Sequence, residues 1–241
     1  PSSRRKPDIE PPASTLHSLV VTPLDSDDVL AGRARVGQAI RDLGHSFAGH
    51  HADADSLNEA ASRLEALINQ FDNGDVRRRD PATFGDHRSY SYEEGPIGET
   101  YPDRPISGNA SPWGLDTEIH REGDDIVAYV TLRAAHEGAP GRSHGGVVSA
   151  LFDDIFGFVQ GVVGITAFTG QLTVTYRAGT PLHTRLACRV RAGEQNGRKV
   201  IMTGELTVVE TGQLVAEAHS VFITVDREVL VNSMRDSQTE T

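Results

Sequence analysis

Arg142-Ser143-His144-Gly145-Gly146 runs directly into the apolar segment Val147-Val148-Ser149-Ala150-Leu151-Phe152-Asp153-Asp154-Ile155-Phe156-Gly157. Gly145 and Gly146 let the backbone approach another group closely. A helix that starts there presents free N–H groups to developing negative charge. Asp153 adds a single carboxylate, which reads either as solvated or as facing a bound ligand. His144 alone reads first as a cap or packing residue. Asp154, turned about 100° from Asp153 on a helix, reads as the structural member of the pair.

The segment behind the glycines must be a helix. Val148, Leu151, Phe152, Ile155, Phe158, Val159 and Val162 recur at three-to-four spacing and give it a broad buried face. Another stripe carries Ser149, Asp153, Gly157, Gly161 and Gly164. Each glycine inside a helix costs about 1 kcal/mol relative to alanine, so something comes close to this stripe. Either a ligand or a neighbouring element would do.

The chain has 241 residues and a formal net charge of −11. That length allows one large domain, or a medium one with an extension, and a sizeable core. The acidity argues against nucleic acid and anionic membrane as general partners. A single cysteine, Cys188, forbids an intramolecular disulfide and a cysteine-based zinc site, which fits a reducing compartment. The basic start, residues 1–7, has no apolar run behind it, and no charge-free apolar stretch is long enough to span a bilayer. The expected location is the cytoplasm.

Residues 1–25 are rich in proline, serine and charge and predict a flexible tail. Residues 26–74 predict a helical hairpin. Val29, Val36, Ile40, Leu43 and Phe47 share one helical face after the Ser26 cap. Leu57, Ala60, Leu64, Leu67, Ile68 and Phe71 share another after a Ser56-to-Glu59 capping box. The two helices are expected to pair and to rest on the main domain or a second subunit. The intervening His45, His50, His51, Asp53 and Asp55 read as a solvated connection, and no metal is assigned.

Residues 75–112, with Arg77-Arg78-Arg79 and five prolines, predict an irregular linker that acts as a lid or a surface wrap. Residues 115–120 and 126–132 read as a hairpin about a Gly-Asp-Asp turn. Four more strands are expected over 169–177, 184–192, 199–210 and 214–226, the last three as a meander through Asn196-Gly197 and Thr211-Gly212. A C-terminal tail follows over 227–241. The fold class is α+β: an antiparallel sheet wrapped around one long central helix, with an N-terminal helical extension.

Residues 113–226 resemble the hotdog-fold acyl-CoA thioesterases of the phenylacetate-degradation (PaaI) type. The matching words are Glu137-Gly138-Ala139-Pro140-Gly141 leading into His144-Gly145-Gly146, an aspartate nine positions after that histidine, Leu172 through Arg177, and Gly212 through Ala218. The resemblance implies thioester hydrolysis to free acid and coenzyme A, with no cofactor beyond the coenzyme A carried by the substrate. It places the helix acid on Asp153, the oxyanion-binding N–H on Gly145, an accessory histidine on His144, and a water-positioning hydroxyl on Thr169. It also implies a homodimer, with a dimer of dimers as a larger form, in which Asp153 of one subunit faces Thr169 of the other.

On this reading Gly146, Ser149 and Gly157 border the substrate, and Ser149, Gly157 and Gly161 leave a channel for the acyl chain. Arg177, Arg198 and Lys199 become candidates for the coenzyme A phosphates. The carbonyl oxygen is expected at the start of the same helix that carries Asp153. A hotdog enoyl-CoA hydratase or dehydratase and a non-catalytic acyl-CoA-binding module stay open as alternatives. A serine hydrolase lacks its Gly-x-Ser-x-Gly elbow here.

Overall fold

The computed structural model describes residues 26–77, 79–85, 92–97 and 102–239; the tail expected over 1–25 and Arg78 of the arginine run lie outside them. Seven strands form one sheet: β1 (Gly95–Pro96), β2 (Thr117–Glu122), β3 (Asp125–Thr131), β4 (Ala167–Tyr176), β5 (Arg185–Asn196), β6 (Lys199–Val208) and β7 (Leu214–Thr224). Their order is β1-β2-β3-β5-β6-β7-β4, and every pairing is antiparallel. The long helix α3 (Gly145–Val163) leaves β3 and delivers the chain to the opposite edge as β4. It packs on β3, β5 and β4.

The periodicity of α3 explains that packing. Val148, Leu151, Phe152, Ile155, Phe156 and Val159 are wholly buried and join one core with Ile126, Leu186, Val190, Met202, Leu206 and Phe222. Each large apolar side chain so buried contributes about 1.5–3 kcal/mol. Position 204 in β6 is fixed by this contact: a Cβ there would lie 2.8 Å from Val190 and 3.0 Å from the Phe152 ring. Cys188 is fully buried, and that burial pushes its thiol pKa up. By length and hydropathy α3 could cross a bilayer, yet eight of its residues are buried here, as befits the core helix of the sheet.

The two N-terminal helices form where expected, and the first packs on the main domain. In α1 (Asp27–Gly49), Gly37 lets the helix touch the Ala110 backbone, where a Cβ would lie 2.8 Å from its carbonyl. The buried Arg41 donates to Asp116 and to the Asn109 and Ser111 carbonyls. So α1 rests on the main domain, held by polar contacts on a face the apolar pattern does not mark. Ser26 sits at its N-cap without a side-chain bond. The second helix, α2 (Ala54–Asp72), begins before the Ser56 box, because Asp53 caps it by accepting the Ser56 N–H at 2.8 Å. None of its residues is buried. A fourth helix, α4 (Arg227–Thr239), stands where a tail was expected. Its start is anchored by Asp226, which accepts the Glu228 N–H at 2.9 Å.

Candidate active site

His144 is the N-cap of α3, and its Nδ1 accepts the Gly146 N–H at 3.0 Å. With Nδ1 accepting, a neutral ring carries its proton on Nε2. The turn before it is pinned: the His144 N–H donates to the His136 carbonyl at 2.8 Å, and Ser143 N–H to Thr180 at 2.9 Å. Gly138 presses on His144, since a Cβ there would meet the His144 Cα at 2.7 Å. The Gly146 donor is therefore occupied. Among the described residues, the Gly145 N–H has no protein acceptor. It is the free donor at the positive end of the helix dipole.

Two turns along, Asp153 is exposed, and Thr169 Oγ1 donates to its Oδ1 at 2.7 Å. Thr169 reaches the helix because it pairs with the core residue Phe222 just before a bulge at Gly170, where the β4–β7 register shifts. A bulge re-aims the side chains beside it. The pair forms within one chain, which corrects the expectation that the two residues face each other across an interface. Among the described residues, the second oxygen of Asp153 carries no hydrogen bond.

Asp154 is in the opposite position. Arg104 bonds its carboxylate at 3.1 Å and its carbonyl at 2.5 Å, and the guanidinium lies 4.2 Å over the Phe158 ring. The same arginine explains Gly157: a Cβ there would lie 2.6 Å from its Nη2. Gly161 is likewise overlaid by Tyr92, at 2.0 Å from such a Cβ. Arg104 and Tyr92 thus fill this end of the glycine stripe, where an acyl channel was expected.

Space lies instead at the other end of α3. A cavity of about 460 Å³ opens there, lined by His144, Gly146, Val147 and Ala150 from α3 and by Ile40, Gly44 and His45 from α1. Trp113, Leu115 and His136 complete much of its wall. Ser149 bonds Tyr176 instead: the two hydroxyls are 2.9 Å apart, and the tyrosine donates to the Gly145 carbonyl at 2.7 Å. Tyr176 thus braces the turn at the start of α3, a role the strand pattern alone did not suggest. Its place at the end of the edge strand β4 is the signal that could have found it.

The candidate phosphate ligands do not converge on α3. Arg177 is paired with Glu217. Arg198 sits at the β5–β6 turn, donates to the Thr224 carbonyl at 3.0 Å and faces α4. Lys199 is registered with Ile223, one residue out of step with the Val200, Phe222 and Thr169 row that faces the helix, so it stands on the outer face of the sheet. Arg142, two residues before His144, is exposed and free of ion pairs among the described residues. Among the described residues, no three His, Cys, Asp or Glu side chains converge as a metal cradle.

No protein-family profile matches the chain. Over 92 residues it is 28% identical to a mouse (Mus musculus) protein, acyl-coenzyme A thioesterase THEM4, spanning 38% of this chain and 40% of that protein. The chain thus covers less than half the length of this curated relative. A thioesterase-superfamily protein of known crystal structure superposes with a TM-score of 0.66 at 22% identity, over 79% of this chain and 94% of that one. The Escherichia coli PaaI protein of the phenylacetic acid degradation operon matches 45% of the chain and 82% of its own, at 17% identity and a TM-score of 0.42. An antiparallel sheet curled around α3, shared at this level with a solved thioesterase-superfamily structure, is the hotdog fold, and that is the fold of this chain.

Proposed function

We propose that this chain hydrolyses acyl-coenzyme A thioesters, with Asp153 as general base. The observation that carries the reading is the exposed Asp153 carboxylate, oriented by Thr169 at 2.7 Å, on the helix whose first N–H is free. Water attacks the carbonyl carbon and gives its proton to Asp153. The carbon–sulfur bond then breaks, and the thiolate leaves with that proton. Base catalysis of this kind contributes about a hundred- to ten-thousandfold, and one oxyanion donor about a hundred- to a thousandfold. Asp153 is equally placed to attack directly, with water opening the resulting anhydride.

Geometry argues that the two halves of the machinery come from two copies of the chain. Eight residues separate Gly145 from Asp153, about 12 Å along one helix, and a single tetrahedral carbon cannot touch both. On this reading the oxygen is received by the start of the partner's helix, not of the same one. Two α3 helices running antiparallel in a homodimer would set Gly145 of one beside Asp153 of the other. The ten-residue edge strand β4, paired only with β7, offers the second copy a docking edge next to both. Arg142 at the mouth is suited to a coenzyme A phosphate.

The test is hydrolysis across a panel of acyl-CoAs, with Asp153→Ala alongside. Thioester cleavage that falls at least a hundredfold in the variant is expected. Undiminished turnover would remove Asp153 from the chemistry.

A further inference from the structure

We propose that the cavity between α1 and the first turns of α3 receives the acyl chain of the thioester, so that a helix outside the sheet-and-helix domain sets chain-length preference. The proposal rests on the thioesterase reading and adds the place and class of the acyl group.

Position comes first. Val147 and Ala150 line the cavity together with His144 and Gly146, the two residues that flank Gly145. A chain seated here therefore starts beside the turn that carries the free Gly145 N–H. The alternative route along the stripe is occupied, because Arg104 covers Gly157 and Tyr92 covers Gly161.

The chemistry of the wall selects the ligand. Ile40, Ile106, Trp113, Leu115, Val147 and Ala150 present hydrocarbon. The polar members already hold protein partners. Arg41 is tied to Asp116, Gln38 and two carbonyls. His45 and His136 each accept a backbone N–H on Nδ1, from Ala135 at 3.1 Å and Arg133 at 3.0 Å. Burial holds both rings toward the neutral form. An uncharged, apolar tail fits such a wall, and a carboxylate-ended one does not. At about 460 Å³ the cavity is of the size that holds a small apolar ligand, and an acetyl group would leave most of it unfilled.

Gly44 gives the means to test this. It lines the cavity, and a Cβ built on it meets nothing within 4 Å, so a larger side chain can enter without displacing the fold. Trp113 gives an independent readout, since it is the only tryptophan and stands in the wall. The experiment compares wild type with Gly44→Leu. It measures kcat/KM for butanoyl-CoA and dodecanoyl-CoA, Trp113 fluorescence during titration with dodecanoate, and melting temperature as a check on folding. The expected result is a saturable Trp113 response that the variant weakens, with the dodecanoyl-to-butanoyl preference lowered by about tenfold or more. If wild type cleaves both thioesters while Trp113 ignores dodecanoate and the variant keeps the same preference, the cavity assignment is overturned and the hydrolase reading stands. If Trp113 responds, the variant weakens the response and no thioester is cleaved, the apolar site stands and the hydrolase reading falls.

Discussion

Asp153 and Asp154 are neighbours in sequence and opposites in environment: one is an exposed carboxylate held only by the Thr169 hydroxyl, the other an ion partner only 8% exposed, clamped by Arg104. The 100° step of the helix separates them, sending one toward the edge strand and the other under Arg104. Their alanine variants should therefore differ in kind. Asp153→Ala should abolish most hydrolysis and leave the melting temperature nearly unchanged. Asp154→Ala leaves the Arg104 guanidinium, itself largely covered, without its partner, and should cost about 2–3 kcal/mol of stability. Kinetics and denaturant unfolding on the two proteins check the contrast; equal loss of stability in both would contradict it.

Thr169 orients Asp153 through one hydroxyl, so Thr169→Val removes the bond and little volume. A misplaced base of this kind costs about a hundredfold, seen in kcat more than in KM. Thr169→Ser keeps the hydroxyl and should recover most of the rate. A valine variant with wild-type kcat would show that the hydrogen bond is incidental.

Much of this was legible in the chain. The three-to-four spacing from Val148 to Val162 marked the core helix, and Asn196-Gly197 marked the β5–β6 turn, where Gly197 takes a φ of 59°. What failed were inferences from one helix about its surroundings. The Gly157 and Gly161 stripe correctly announced a close approach, but the visitors are Arg104 and Tyr92, seventy or fewer residues upstream in an irregular segment whose path no periodicity encodes. That α1 rests on the main domain was expected, but the face that makes the contact was not. Its buried positions are Gly37, Arg41 and His45, while Val29, Val36, Ile40, Leu43 and Phe47 on the apolar face stay largely exposed.

Gly157→Leu must displace Arg104 from Asp154, so it should lower the melting temperature by several degrees and leave chain-length preference alone. Acyl-CoA profiles and thermal unfolding measured together decide it. A shifted profile without loss of stability would restore the channel along the stripe.

Acid should weaken the seat of α1. Burial lowers the His136 pKa from 6.5 to about 4, with the nearby His45 ring, 4.6 Å between centroids, adding to the shift. Unfolded, the same histidine titrates near its ordinary value. Between these values the unfolded chain binds a proton that the folded chain does not, so the histidine's contribution is full above pH 6.5 and is lost as pH falls toward about 4. The slope is at most about 1.4 kcal/mol per pH unit. Urea unfolding across this range should show it, and His136→Asn, whose side-chain oxygen can take the Arg133 N–H, should flatten it.

Subunit mixing tests the central claim most directly. Gly145→Pro removes only the oxyanion N–H at a helix position that tolerates proline, though the Tyr176 hydroxyl, 3.0 Å from a Cβ there, must yield slightly. This variant and Asp153→Ala are each expected to be nearly inactive. Denatured together and refolded as a mixture, they should regain about a quarter of wild-type activity, because each mixed dimer holds one site with an intact Gly145 from one copy and an intact Asp153 from the other. A mixture no more active than its two components would contradict a site shared between two copies.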